Sequence, residues 1–379
     1  MSMSEVDWAR RAVPGVQALA PYEPGKPIAE LRREYGVTDI IKLASNESPL
    51  GPSPQALTAA REAAAEVHRY PDGNAFELKA RLAARHGVGA ERITLGNGSN
   101  DVLALIAQAF LGPEREAVFS RHAFAVYPIV TQAAGAVARV APAHGADSDQ
   151  PYGHDLAAMQ RLISGRTRVV FIANPNNPTG TWVGEDALRA FIEQVPGDVL
   201  VVVDEAYFEY ARDLAGLPDA SRWLDEFPNL VVTRTFSKCY GLAGLRVGYA
   251  LSSPPVAELL NRVRQPFNCN AVAQAAAGAA LDDEAHLARA IALNTEQLRL
   301  MEAELRQLGL TVLPSAGNFL CFDVGGGAAS VNEGLLRAGV IVRPVGGYEL
   351  PGFLRVSVGL PEENRRFLDT LERLISAPA

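Results

Sequence analysis

Lys238 is the residue of this chain best placed for covalent chemistry. It lies in the stretch 235–249, TFSKCYGLAGLRVGY, just past the apolar, β-branched run 230–233 that reads as a buried strand. An amine held where a strand ends is fixed and partly withdrawn from water. That favours its neutral form and makes it a nucleophile for a carbonyl. Thr235, Ser237 and Arg246 flank it with two hydroxyls and a guanidinium, groups that suit a phosphate dianion. The set fits a phosphorylated aldehyde. Each member has an ordinary alternative, since loop lysines are usually solvated and hydroxyl residues after a strand commonly serve turns. The specific signal is the spacing S-K-x(5)-G-x-R-x-G-Y.

Three further stretches carry chemistry. The short strand 93–95 is followed by Gly96-Asn97-Gly98-Ser99-Asn100-Asp101, which runs straight into the apolar helix pattern 102–110. A glycine-rich turn opening a helix presents free N–H groups and the positive dipole end, and so suits an anion; capping by Ser99 or Asn100 is the alternative. Asp204 ends the apolar run 198–203. A carboxylate there is costly to bury unpaired, and a protonated ring nitrogen is a suitable partner; an N-cap of the next helix is the alternative. Arg355 sits inside the apolar alternation FLRVSVG, where it needs an anion; a structural salt bridge competes with a ligand carboxylate or phosphate.

With the runs PYEPGKP, LASNESPLG, RYPDG and NPNNPTG added, the chain resembles the fold-type I pyridoxal-phosphate enzymes, the aspartate-aminotransferase-like family, over nearly its whole length. The resemblance is nearest to the histidinol-phosphate aminotransferases. It implies pyridoxal 5'-phosphate as cofactor, with Lys238 as the catalytic amine and proton carrier. Gly98, Ser99, Asn100, Thr235, Ser237 and Arg246 are then on the phosphate. Phe124 is on the ring face, although Tyr127 competes for that place. Asn177 and Tyr207 are implied at the ring O3′ and Asp204 at the ring nitrogen. Tyr70 is implied to cross to the cofactor of a partner subunit, making the protein a homodimer with shared sites. Tyr22, Asn46, Arg343 and Arg355 are implied near substrate, where arginines serve both the phosphate of histidinol phosphate and the carboxylates of glutamate and 2-oxoglutarate in a ping-pong cycle. Relatives that accept phenylalanine or tyrosine, or that decarboxylate threonine phosphate, share the lysine and NNPTG motifs and stay open as alternatives. A regulatory domain built on the same fold predicts an added helix-turn-helix and a basic surface, for which the chain has neither room nor charge.

The elements that position these residues follow from the rest of the chain. At 379 residues, 48% hydrophobic and 21% charged, it reads as a large and a small unit. The expected class is α/β, with a mostly parallel central sheet covered by helices plus a smaller α/β domain. The expected boundaries are 1–47 for an arm and part of the small domain, 48–285 for the cofactor domain, and 286–379 for the small domain. The runs 168–173 and 198–203 are apolar after their first residues, Arg168 and Asp198, as in a parallel sheet covered on both faces. Helical patterns fall at 54–68, 76–86, 255–263, 271–281, 284–308, 329–338 and 361–375. The net charge of −8 argues against nucleic acid. Cys239, Cys269 and Cys321 have neither disulfide nor zinc spacing and read as buried hydrophobes. No secretory leader or membrane span is evident, so a reducing cytoplasm is expected.

Overall fold

In this computed structural model the structure describes residues 6–22 and 24–376. Residues 1–5, Glu23 and 377–379, parts of the arm, the PYEPGKP run and the small domain named above, lie outside the described residues. Among the described residues the strands are β1 (Ile41–Lys42), β2 (Ile93–Gly96), β3 (Glu116–Ser120), β4 (Val137–Ala141), β5 (Thr167–Ala173), β6 (Leu200–Asp204), β7 (Leu230–Thr235), β8 (Gly248–Ser252), β9 (Thr311–Val312), β10 (Phe319–Asp323), β11 (Val340–Ile341), β12 (Arg343–Pro344) and β13 (Phe353–Ser357). The larger sheet has the order β2-β8-β7-β6-β5-β3-β4. Its pairs from β7 through β6, β5 and β3 to β4 are parallel, whereas β8 is antiparallel to both β7 and β2.

The apolar runs behave as a sheet covered on both faces demands. Along β6, Val201 and Val203 join one core cluster, while Leu200 and Val202 join the cluster on the opposite face. One cluster holds the helices Phe76–His86 and Ala271–Asp282, and the other holds Ser99–Phe110 and Pro254–Val263. Burying both faces leaves the carboxyl ends of β5, β6 and β7 as the place where polar side chains emerge together, in accord with the rule for open α/β sheets.

The smaller sheet, β12-β13-β10-β9, is antiparallel throughout. The alternation of helix and strand near the carboxyl terminus thus does not produce a parallel sheet; β10 and β13 pair directly, and the helix Ala328–Arg337 packs beside them in a separate core cluster. A third, two-stranded sheet is formed by β1 and β11. β1 pairs with β11, Leu43 N donates to Ile341 O at 2.8 Å, and Ser357 N donates to Leu43 O at 2.8 Å. Residues 43–46 are thereby pinned to β13 and face the carboxyl ends of the larger sheet.

Two helices differ in extent from their sequence patterns. The helix from Pro54 ends at Ala64 rather than residue 68, before the turns that lead to Tyr70. The helix after the glycine-rich turn begins at Ser99 rather than residue 102. No helix among the described residues is long and apolar enough to cross a membrane.

Candidate active site

The carboxyl ends of β5, β6 and β7, the start of the helix Ser99–Phe110, the segment 44–46 and strands β12 and β13 enclose one cleft of about 160 Å³. Tyr22, Asn46, Ser99, Asn100, Phe124, Asn177, Asp204, Tyr207, Thr235, Ser237, Lys238, Arg246, Arg343 and Arg355 all line it. Stretches more than three hundred residues apart in sequence therefore converge on a single space.

Lys238 Nζ donates to Ser45 O at 3.1 Å and lies 5.8 Å from the Tyr207 ring centroid. Burial, helped by the nearby Arg355 and Arg246 charges, brings its pKa down to about 8 from 10.5. At neutral pH the nucleophilic, uncharged fraction is then larger than for a free lysine. The Ser45 carbonyl is a contact that motif reading did not supply, because it belongs to the backbone.

One end of the cleft is built for an anion. The helix from Ser99 has Gly98 at its N-cap and no side-chain cap, so neither Ser99 nor Asn100 plays the capping role. Arg246 Nη1 donates to Ser237 Oγ at 3.2 Å and to Ala243 O at 3.2 Å. Arg246 itself has a left-handed backbone, φ 55°, which is uncommon for a residue other than glycine and is stored characteristically at functional sites. Gly98 has φ 88° and ψ 162°, a conformation nearly confined to glycine, and a Cβ there would run into Arg246 Nη2. Gly248 permits the second close approach, since a Cβ would strike Ser99 N and stand 2.9 Å from Arg234 O. Gly98→Ala is expected to displace the guanidinium and cost about 1–3 kcal/mol in local strain. Its check is a phosphate-anion titration, in which the variant's affinity falls at least about tenfold while its fold, by circular dichroism, persists.

At the floor, Asp204 is buried and accepts from Thr233 Oγ1 at 2.8 Å and from Tyr127 OH at 3.0 Å. The parallel register sets Thr233 directly beside Asp204. Burial raises the Asp204 carboxyl above its usual range, and the two hydroxyl donors oppose that rise without cancelling it. A cation placed against it from the cleft would favour the ionised form. Asp204 does not cap the following helix, which starts at Phe208 with Tyr207 before it.

The geometry separates the two aromatic candidates. Phe124 lines the cleft, whereas Tyr127 is wholly buried beneath, stacked on Phe171 at 4.8 Å, edge-on to Phe124 and bonded to Asp204. Tyr127 orients the carboxylate and offers no face to the cleft. Helix position alone did not separate the two rings in sequence.

On the opposite wall Asn46, with φ 56°, donates from Nδ2 to Tyr207 OH at 2.9 Å and accepts from Ser357 Oγ at 3.0 Å. Burial pushes the Tyr207 phenol up to about 12, so it stays protonated and can donate into the cleft. Arg355 is 5% exposed, donates to Asn177 Oδ1, and donates from Nη2 to Ala44 O at 2.7 Å, while its Nε has no partner among the described residues. Among the described residues its hydrogen bonds run to an amide oxygen and a backbone carbonyl rather than to a carboxylate. A buried arginine with an unused N–H is suited to an incoming anion.

Gly98 sits behind Arg246 rather than in the wall. Tyr70 stands away from the cleft of its own chain, 83% exposed and stacked on Phe267 at 4.7 Å. Cys239, Cys269 and Cys321 are all buried.

A family profile described as aminotransferase class I and II matches residues 38–371. A Pseudomonas aeruginosa protein named histidinol-phosphate aminotransferase 2 is 58% identical over 98% of this chain and 99% of its own. A Methylococcus capsulatus protein of the same name is 56% identical over 96% of this chain and 98% of its own. Among solved structures, histidinol-phosphate aminotransferase from Sinorhizobium meliloti in complex with pyridoxal-5'-phosphate superposes with a TM-score of 0.88 at 30% identity, covering 99% of both chains. Aspartate aminotransferase from Thermus thermophilus with maleate, at 23% identity and TM-score 0.82, shares the fold.

Proposed function

The chain belongs to the class I and II aminotransferases, and on that premise we propose that it uses pyridoxal 5'-phosphate to exchange an amino group between histidinol phosphate and 2-oxoglutarate, a step of histidine biosynthesis. The observation that carries the chemistry is the meeting of Lys238, Asp204 and Arg246 in one cleft. The substrate rests on relatives of that name matched from end to end.

The residues fit the cofactor. A lysine of lowered pKa suits its aldehyde, and an uncapped helix start with Arg246, Thr235 and Ser237 suits its phosphate. A buried carboxylate lacking a cation suits its ring nitrogen, and Phe124 suits its ring face. When bound, the cofactor supplies an electron sink for the charge left on carbon when the substrate loses a proton.

Lys238 would hold the cofactor through its neutral amine and, once freed, would be placed to take the proton from the substrate carbon as base and, as acid, to deliver it away from that carbon. Asp204, held by Thr233 and Tyr127, keeps the cation against it charged. Tyr207 and Asn177 would hold the ring hydroxyl side, with Asn177 steadied by Arg355. Arg355 and Arg343, with Tyr22 and Asn46 beside them, take the substrate phosphate in one half of the cycle and carboxylates in the other. On this reading 48–285 holds the cofactor, and 286–379 with 1–47 forms the smaller, substrate-side unit. Two chains pair so that the exposed Tyr70 of each reaches the other's phosphate site, and the protein works in the cytoplasm.

Steady-state kcat/KM with 2-oxoglutarate as acceptor tests the substrate. Histidinol phosphate is expected to exceed phenylalanine by at least about 100-fold, the discrimination available when buried charged groups of the site go unpaired with the wrong donor. A higher value for phenylalanine would leave the transaminase chemistry standing and move the substrate to aromatic amino acids.

A further inference from the structure

The turn 96–101 is held by its own Asp101, and the group that supports Asp101 comes from a distant part of the chain. Asn97 N donates to Asp101 Oδ2 at 2.8 Å, and Asn268 Nδ2 donates to the same oxygen at 2.9 Å. Asn268 Nδ2 also donates to Leu95 O, in β2, at 3.1 Å. On its other side Asn268 Oδ1 accepts from Arg264 Nη1 at 2.8 Å, and Arg264 Nη2 donates to Gly73 O at 2.9 Å. One side-chain amide thus links the end of β2, the carboxylate that fixes the turn, and the loop that carries Tyr70. Neighbouring Phe267 stacks on Tyr70 and lies close against Gly73.

We propose that Asn268 is a positioning residue for the phosphate end of the cofactor, acting through Asp101 on the 96–101 turn without touching the ligand. The proposal rests on the pyridoxal-phosphate reading above. An amide is required because it must donate to one carboxylate and accept from one guanidinium. Aspartate in its place would keep the bond from Arg264 but set a second carboxylate against Asp101. The free N–H groups of the turn bind phosphate only while they converge, so loosening Asp101 disperses them. The same loss frees the Arg264–Gly73 link and with it the loop of Tyr70.

The test titrates the full-length chain, stripped of cofactor, with pyridoxal 5'-phosphate and separately with pyridoxal, which lacks the phosphate. Wild type, Asn268→Ala and Asn268→Asp are compared, with thermal midpoints measured alongside. Asn268→Asp preserves side-chain volume and serves if the alanine variant does not fold. In the variants, affinity for the phosphorylated ligand is expected to fall at least about tenfold while affinity for pyridoxal stays within about twofold. A general structural role would weaken both ligands alike. Equal losses, or no loss, in a folded variant would overturn the proposal. A wild type that binds the two ligands equally would instead overturn the phosphate-site reading on which it rests.

Discussion

Lys238→Ala is expected to lower kcat by at least about 10⁴-fold, the upper range for loss of a positioned acid–base group, because the same amine is also the point of covalent attachment. On the proposed function the residue would carry two roles with one nitrogen. Its neutral form would attach the cofactor, and burial with two arginine charges favours that form by bringing the pKa down to about 8. Its rates should follow that titration: attachment of cofactor to the stripped protein accelerates as pH rises toward about 8 and levels above it, as the protonated fraction disappears. Arginine at this position would supply neither role, since it does not deprotonate. Lys238 makes its hydrogen bond to the Ser45 backbone and lies in the cleft wall, so its truncation leaves the sheet intact. Stopped-flow and steady-state assays of the variant check the loss. Turnover at the wild-type rate would remove Lys238 from the mechanism.

Asp204→Asn is expected to lower kcat by about 10²–10³-fold with little change in KM, the pattern of a group that matters most as charge develops. Thr233 and Tyr127 both donate to this carboxylate, so the amide can keep one of those bonds and leaves the other donor facing an N–H. In a buried setting that mismatch also costs about 1–3 kcal/mol of stability. The two effects separate experimentally. Thr233→Val removes one hydrogen bond and shares the stability loss, yet keeps the negative charge and should retain most of kcat. If Asp204→Asn and Thr233→Val lost activity equally, the charge of Asp204 would not be its contribution.

Much of this site was readable in the chain because its residues follow strands. The runs 169–173, 199–203 and 230–232, which lead to Asn174, Asp204 and Thr235, are apolar on every residue; that marks strands covered on both sides, and chemistry then emerges at the strand ends. The glycines at 98 and 248 were visible as letters, but the reason for the second is a contact across the sheet with Ser99 N that has no local signal. Register was equally silent: Thr233 orients Asp204 because β6 and β7 run parallel with those two residues side by side. Tyr127 and Phe124 both read as aromatic residues near a helix start. Only packing places one ring on the cleft and the other beneath the carboxylate.

The smaller sheet shows the same boundary between local and long-range information. The strand around Arg355 was evident from alternation, but its antiparallel pairing with β10 and its seam with residues 43–46 depend on chain return over large separations. Asn46, Ser357 and Tyr207 form a hydrogen-bonded set drawn from three separate regions. No periodicity links such positions, whereas the motif in which each sits can be recognised separately.

The most direct test of the central claim is a single-turnover measurement on the cofactor-loaded protein mixed with histidinol phosphate and no 2-oxo acid. Conversion of the cofactor from its aldehyde to its amine form, with one keto product released per cleft and no further turnover until 2-oxoglutarate is added, is the predicted result. Continued product formation without an acceptor, or an unchanged cofactor spectrum in protein that carries the cofactor on Lys238, would contradict it.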